Sequence, residues 1–207
     1  MVSAAFSASG SGFLVAAEGL DELSEDFEQA AARITKFAQM SINTTARRMR
    51  TRSSRLIREE VAFPARYLDN KSNGRLQVSR QATESRLEAA ITGRFDPTSL
   101  ARFVRGSKQH GRKNPRLQVS PGSSSQIGGS FIMNLRNGNQ GLAIRLKPGE
   151  TIRNKRRMTS ISRRDPNLYL LYGPSVDQVF RSVSGDVAPE AADFLEREFL
   201  RLSERLF

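Results

Sequence analysis

The chain has 207 residues, 38% hydrophobic and 7% aromatic, with 33 basic and 21 acidic residues, a net charge of +12 and no cysteine. That length suits one domain with a modest core, and the lack of cysteine excludes a disulfide framework and a thiolate metal site. No stretch approaches the roughly eighteen consecutive apolar residues of a membrane span, so no membrane contact is expected.

Residues 1–18 read as an N-terminal arm or short strand. Met1 to Gly12 is small and polar, lacks the basic start of a secretory signal, and leads into Phe13-Leu14-Val15. From Gly19 to Val61 apolar or small residues recur every three or four positions, through Leu20, Leu23, Phe27, Ile34, Phe37, Ile42, Met49 and Leu56. That spacing predicts one long amphipathic helix, roughly 60 Å at about 1.5 Å per residue, ending before Pro64. A break near Ser41–Thr45 is expected, because Ser, Asn and Thr compete with the helical backbone. Six acids from Glu18 to Glu28 fill its first turns, and Arg47, Arg48, Arg50, Arg52, Arg55 and Arg58 fill its later ones. A helix dipole favours that order only within the terminal turns. The arginines are therefore either a solvated face or, for Arg47, Arg48, Arg52 and Arg55, a subunit interface that meets acidic turns of a neighbouring copy.

Pro64–Asp69 predicts a turn or one helical turn, and Asn70–Gly74 a loop. Arg75–Arg80 and Ser85–Thr92 alternate apolar and polar residues and predict a hairpin through Gln81–Glu84. Pro97–Phe103 predicts a short helix capped by Thr98 or Ser99. Residues 104–116 predict a mobile basic loop. The pentad Arg-Leu-Gln-Val-Ser at Arg75–Ser79 recurs at Arg116–Ser120, a chance likeness between two strands since the flanks do not align. Phe131–Leu135 and Leu142–Leu146 predict another hairpin, Lys147–Glu150 a turn, and residues 151–165 a second exposed basic loop. Leu168–Tyr172 predicts a strand. A helix capped by Ser175 should follow and break at Gly185, and a last helix should start near Pro189 and carry Leu195, Phe199, Leu202 and Leu206. The expected fold is α+β, a single unit over 19–207 in which the long helix packs on a small, mostly antiparallel sheet with C-terminal helices.

Chemistry is sparse. His110, the sole histidine, lies in a basic loop with no acid nearby to orient it, and His and Cys are too few for a transition-metal site. Gly128-Gly129 and Gly138–Gly141 lack the context of a phosphate loop. No catalytic residue, cofactor or metal is expected, and the chain does not read as an enzyme. The charge excess is local: Pro97 to Arg164 holds fifteen basic residues against Glu150 alone. Arg105, Lys108, Arg112 and Lys113 in the first loop, and Arg153, Lys155, Arg156 and Arg157 in the second, are the candidates for contact with an acidic partner or nucleic acid. Aromatic residues for base stacking are scarce beside them, so a nucleic-acid contact would be to backbone, without sequence preference.

At Leu170–Phe180, Leu-Leu-Tyr-Gly-Pro-Ser-Val-Asp-Gln-Val-Phe, the chain resembles the minor tail protein Z family of tailed bacteriophages, the tail completion proteins. Asn43–Arg47 with the arginine helix ending near Pro64, Leu87–Gly93 followed by Pro97–Phe103, and Gly141–Gly149 resemble it in the same order. The resemblance covers roughly Ala30 to Phe207. Within the motif, Gly173 and Pro174 suit a rigid turn, Ser175 a cap ahead of Val176, and Tyr172 and Phe180 anchors in the core. The resemblance implies a non-enzymatic virion protein, assembled in the host cytoplasm, that forms a ring at the head-proximal end of the tail and enables head–tail joining. Such rings are usually sixfold. They adjoin the tail tube, the tail terminator and the head-side connector, near the exiting double-stranded DNA. On this reading the basic loops face acidic partner rings, with a channel-lining role as the alternative, and charge reversal at Arg112 and Lys113 should block joining with the fold intact. The reading from a different class is a basic, non-sequence-specific nucleic-acid-binding protein acting free in the cytoplasm.

Overall fold

The computed structural model describes residues 3–9, 12–18, 20–69, 74–147, 149–150, 157–161 and 165–204, with side chains from residue 27 onward. The fold is α+β, with a long N-terminal helix, small antiparallel sheets and a C-terminal helix. The N-terminal arm is a hairpin, β1 (Ser3–Ser9) against β2 (Gly12–Glu18), which sets Phe6 opposite Val15 and Ala8 opposite Phe13.

Helix α1 runs unbroken from Leu20 to Glu60. The expected break at Ser41–Thr45 does not occur, because the segment is buried against the rest of the chain and Asn43 spends its side chain on a tertiary contact. Ser41, Asn43 and Thr45 are all buried. The Asn43 side-chain amide donates to the Ala82 carbonyl at 3.0 Å, and its oxygen accepts from the Ala82 N–H at 2.8 Å. The Thr45 hydroxyl donates to the Ser41 carbonyl at 2.8 Å, satisfying itself within the helix. After α1 the chain turns at Pro64 into the short α2 (Ala65–Asp69), which buries Tyr67 and Leu68.

Strands β3 (Leu76–Arg80) and β4 (Ala90–Gly93) pair antiparallel, with an irregularity between Val78 and Arg80. The second strand is shorter than expected and begins later. Asn43 holds Ala82 against α1, an Arg80–Glu88 ion pair at 3.0 Å spans the link, and Leu87 stays 46% exposed. The chain then forms β5 (Thr98–Ser99) and a 3-10 turn over Leu100–Phe103, where the Ser99 hydroxyl accepts from Ala101 N–H as the expected cap. Strand β6 (Arg116–Leu117) pairs with β7 (Ser125–Gln126). Leu76 and Leu117, equivalent in the repeated pentad, are both buried but lie in different sheets.

The main sheet has the order β10-β11-β9-β8, built from β8 (Ser130–Asn134), β9 (Gln140–Arg145), β10 (Met158–Ser160) and β11 (Leu168–Gly173). All its pairings are antiparallel, and β5 joins β11 at Tyr172 and Gly173. The expected β8–β9 hairpin is present, and β10 lies in what the sequence presented as loop. In the core, Ile132, Leu142 and Leu171 of this sheet meet Ile57, Val61 and Phe63 near the end of α1, with Val176, Val179 and Val183 of α3.

Helix α3 spans Val176–Ser203 without the break expected at Gly185, and Pro189 lies inside it. Proline cannot donate to the carbonyl four residues back, which here belongs to Gly185. The helix continues because Val183, Val187 and Leu202 are buried on its inner side, so the lost bond is outweighed by packing. Pro189→Ala should restore that bond and, after the smaller entropic loss, raise stability by about 2 kcal/mol. Urea denaturation would check this, and an unchanged midpoint would mean that the helix already absorbs the proline without strain.

Helices α1 and α3 run antiparallel. Ser182 Oγ donates to Glu60 Oε2 at 2.7 Å at one end, and Arg52 Nε meets Glu190 Oε2 at 3.1 Å further along. Ala38 and Phe199 border a common groove towards the other end. On the N-terminal part of α1, Phe27 is 67% and Ile34 47% exposed.

Candidate interaction surface

The Tyr-Gly-Pro-Ser-Val segment forms a strand end, a tight turn and a capped helix. Gly173 lies so close to the 3-10 turn that a Cβ there would meet Leu100 Cδ2 at 3.0 Å and Phe103 Cε2 at 3.3 Å. The Pro174 carbonyl accepts from Thr98 N–H at 3.4 Å. Ser175 and Gln178 form a reciprocal capping box, with Ser175 Oγ accepting from Gln178 N–H at 3.0 Å and Gln178 Oε1 accepting from Ser175 N–H at 3.1 Å. Val176 is fully buried, and Phe180 packs half-buried against the core. Tyr172 instead walls a polar pocket. A second close approach fixes the same corner: a Cβ on Gly93 would stand 2.8 Å from the Asp177 backbone nitrogen. These residues place the start of α3 against the sheet, and their role is structural.

The first basic loop is laid along β8 and tied to it, where a mobile loop was expected. Gly111 N–H donates to the Ile132 carbonyl at 2.7 Å, Ile132 N–H to the Arg112 carbonyl at 3.0 Å, and Asn114 N–H to the Ser130 carbonyl at 2.7 Å. His110 Nδ1 accepts from Asn134 N–H at 3.2 Å, so the sole histidine is a tether. Pro115 is fully buried beneath the loop. The loop was illegible in its own sequence because its partners are the edge groups of a strand fifteen or more residues further on.

Its cations divide into three roles. The Arg112 guanidinium turns back on its own loop, donating to the carbonyls of Arg105 and Ser107. Arg112 thus shapes the loop, and its reversal would disturb the frame as well as the charge. Arg105, Lys113 and Arg116 are exposed and have no acidic partner among the described residues. Lys108 is half-buried and lines the pocket walled by Tyr172. In the second basic segment, Arg157 is exposed and its carbonyl accepts from Tyr172 N–H at 2.9 Å, extending the β10–β11 pairing. Arg153, Lys155 and Arg156 lie outside the described residues.

The arginines of α1 divide too. Arg52 pairs with Glu190 at 3.1 Å, while Arg48 approaches the same carboxylate at 4.0 Å and stacks over Phe194 at 4.5 Å. Both are engaged within the chain. Arg50 binds the backbone of α2 and β3. Arg47 and Arg55 are exposed and have no ion-pair partner among the described residues, so of the four interface candidates they are the two open to another molecule.

Among the described residues no helix is long and apolar enough to cross a membrane, and no group of three His, Cys, Asp or Glu side chains gathers as a metal site. Sequence reasoning missed Arg94, Tyr67 and the β8–β9 turn amides as neighbours of Lys108; they come from separate segments, and no local pattern links them. Compared with family models, with curated proteins and with solved structures, the chain matches none of them.

Proposed function

We propose that the chain is a structural protein of a tailed-bacteriophage virion, a tail completion protein that forms a ring at the head-proximal end of the tail and enables head–tail joining. The class of function rests on the resemblance at Leu170–Phe180 and the segments that precede it. One observation supports self-assembly: residues 1–32 hold six acids and no base, while the remainder holds 33 basic against 15 acidic residues. The N-terminal part of α1 also exposes Phe27, within the acidic run, and Ile34 just beyond it. A chain with an acidic arm and a basic body is suited to repeated head-to-tail contacts, which close into a ring when the rotation permits. The ring would be a homo-oligomer, sixfold by the resemblance, between the tail tube and terminator and the head-side connector.

The exposed cations Arg105, Lys113 and Arg116 would then face an acidic neighbouring ring. Reversing all three to Glu should leave the thermal midpoint within a degree or two, since surface changes away from packing are nearly neutral. The same variant should reduce head–tail joining by an order of magnitude or more in a complementation assay, because like charges now oppose. Joining at the wild-type level would remove these residues from the interface. The localisation itself is tested by imaging virions that carry a gold-labelled tag at Met1: label confined to the head–tail junction supports the ring, and unlabelled virions overturn it. The second reading, non-sequence-specific nucleic-acid binding, is favoured by the same unpartnered cations. It predicts steeply salt-dependent DNA binding by the isolated chain.

A further inference from the structure

A pocket of about 270 Å³ opens between the 3-10 turn, the strapped basic loop and the β8–β9 turn. Its charged wall is made by Arg94, Arg102 and Lys108, and none of its lining residues is acidic. Arg94 is neutralised by Asp96 at 3.0 Å. Arg102 lies over the Tyr67 ring at 4.3 Å, and neither it nor Lys108 has a carboxylate partner among the described residues. The Lys108 backbone is fixed by Gln140, whose side-chain amide donates to the Lys108 carbonyl at 2.7 Å. Tyr67 is itself held by its hydroxyl, 3.3 Å from Thr98 Oγ1. Asn137 and Asn139 of the β8–β9 turn supply amide groups to the rim.

Two unpaired cations sharing a half-enclosed space work against the fold. Burial, and then the neighbouring Arg102 guanidinium, push the Lys108 ammonium below its ordinary value. Gln140 holds the Lys108 backbone and the Arg102 guanidinium lies over Tyr67, and no lining residue offers an anion in return. Such an arrangement is stabilised when a multiply charged anion enters, and a phosphate group carries about −1.5 to −2 at neutral pH with several acceptor oxygens.

We propose that this pocket binds a phosphate group, held between the Arg102 guanidinium and the Lys108 ammonium, with the turn amides at its rim. The phosphate could belong to a nucleic-acid backbone or be free in solution, and the same chemistry serves both. The proposal stands independently of the virion reading. It is tested by calorimetric titration of the full chain with inorganic phosphate, with acetate and with a short DNA duplex at constant ionic strength. The variants are Lys108→Gln and, as a charge-matched control outside the pocket, Lys147→Gln.

Saturable phosphate binding is expected, about tenfold or more weaker in Lys108→Gln and unchanged in Lys147→Gln. The thermal midpoint of Lys108→Gln should equal or exceed that of the unmodified chain, because an uncompensated charge has gone; a purely structural lysine would give the opposite shift. Duplex binding that competes with phosphate and weakens equally in Lys108→Gln identifies the source as nucleic-acid backbone. Duplex binding indifferent to Lys108, with phosphate binding still sensitive to it, identifies free phosphate. Absence of phosphate binding, equal loss in both variants, or acetate binding as tight as phosphate overturns the proposal.

Discussion

Arg50→Met should destabilise the chain by about 3 kcal/mol, the largest loss expected from removing any single charge here. The Arg50 guanidinium makes three contacts. Nε donates to the Leu76 carbonyl at 3.0 Å, Nη2 donates to the Leu68 carbonyl at 3.1 Å, and Nη1 pairs with Asp69 Oδ1 at 3.1 Å. Ser54 Oγ donates to the same Asp69 oxygen at 2.7 Å. One side chain thus closes the end of α2 and the start of β3 onto α1. Leu68 and Leu76 are themselves fully buried, so their carbonyls have poor access to water as substitutes. Methionine keeps most of the aliphatic stem and removes every donor. For a chain of this size the loss corresponds to a fall of roughly 6–12 °C in thermal midpoint. Lysine should recover the ion pair but not the fork to the two carbonyls, giving an intermediate midpoint. A midpoint for Arg50→Met within a degree of the original would show that neither carbonyl depends on it.

The second large effect concerns assembly and leaves the fold alone. Phe27 and Ile34 are seven residues apart on α1, on one face, and both are exposed large apolar side chains. Burying two such side chains in a neighbour would contribute about 3 kcal/mol, or roughly a hundredfold in association. Phe27→Glu with Ile34→Glu should therefore abolish any oligomer seen by light scattering or native mass spectrometry at micromolar concentration. Thermal stability of the monomer should stay within about 0.5 kcal/mol, since both residues are exposed and lie outside the core. High salt should weaken the unmodified oligomer, because the arm is acidic and the body basic. An oligomer that survives both glutamates would exclude the N-terminal part of α1 as the contact and remove the main physical support for the ring.

Much of the fold was legible from periodicity and punctuation. Three- and four-residue spacing marked α1, and Pro64 its end. Short apolar runs on both sides of Asn137–Gly141 marked the β8–β9 hairpin. Ser175 after Gly173-Pro174 marked the cap of α3, and its box partner Gln178, found in the structure, lies only three residues on. In each case the interaction that decides the structure is local, so neighbouring residues carry the signal.

The misreadings share one cause. Asn43 looks like a helix weakener until Ala82, 39 residues beyond it, is seen bonded to its side chain. Gly185 and Pro189 look like a boundary until Val183, Val187 and Leu202 are seen buried along one continuous helix. The basic loop looks mobile until its backbone is found paired with β8. Arg50 and Arg52 look alike on a helical face, yet one clamps α2 and β3 and the other meets Glu190, 138 residues away.

The candidate sites follow the same division. Sequence alone determined that the chain is α+β, that its positive charge concentrates between Pro97 and Arg164, and that its acids lead α1, because composition and local spacing need no partner. Only the tertiary structure decided which of the candidate cations remain open, Arg47, Arg55, Arg105, Lys113 and Arg116 among them, and which line one pocket without a counter-charge, at Arg102 and Lys108. Charge state is written in each residue, but whether a charge is paired, buried or free depends on groups brought close by contacts across the whole chain.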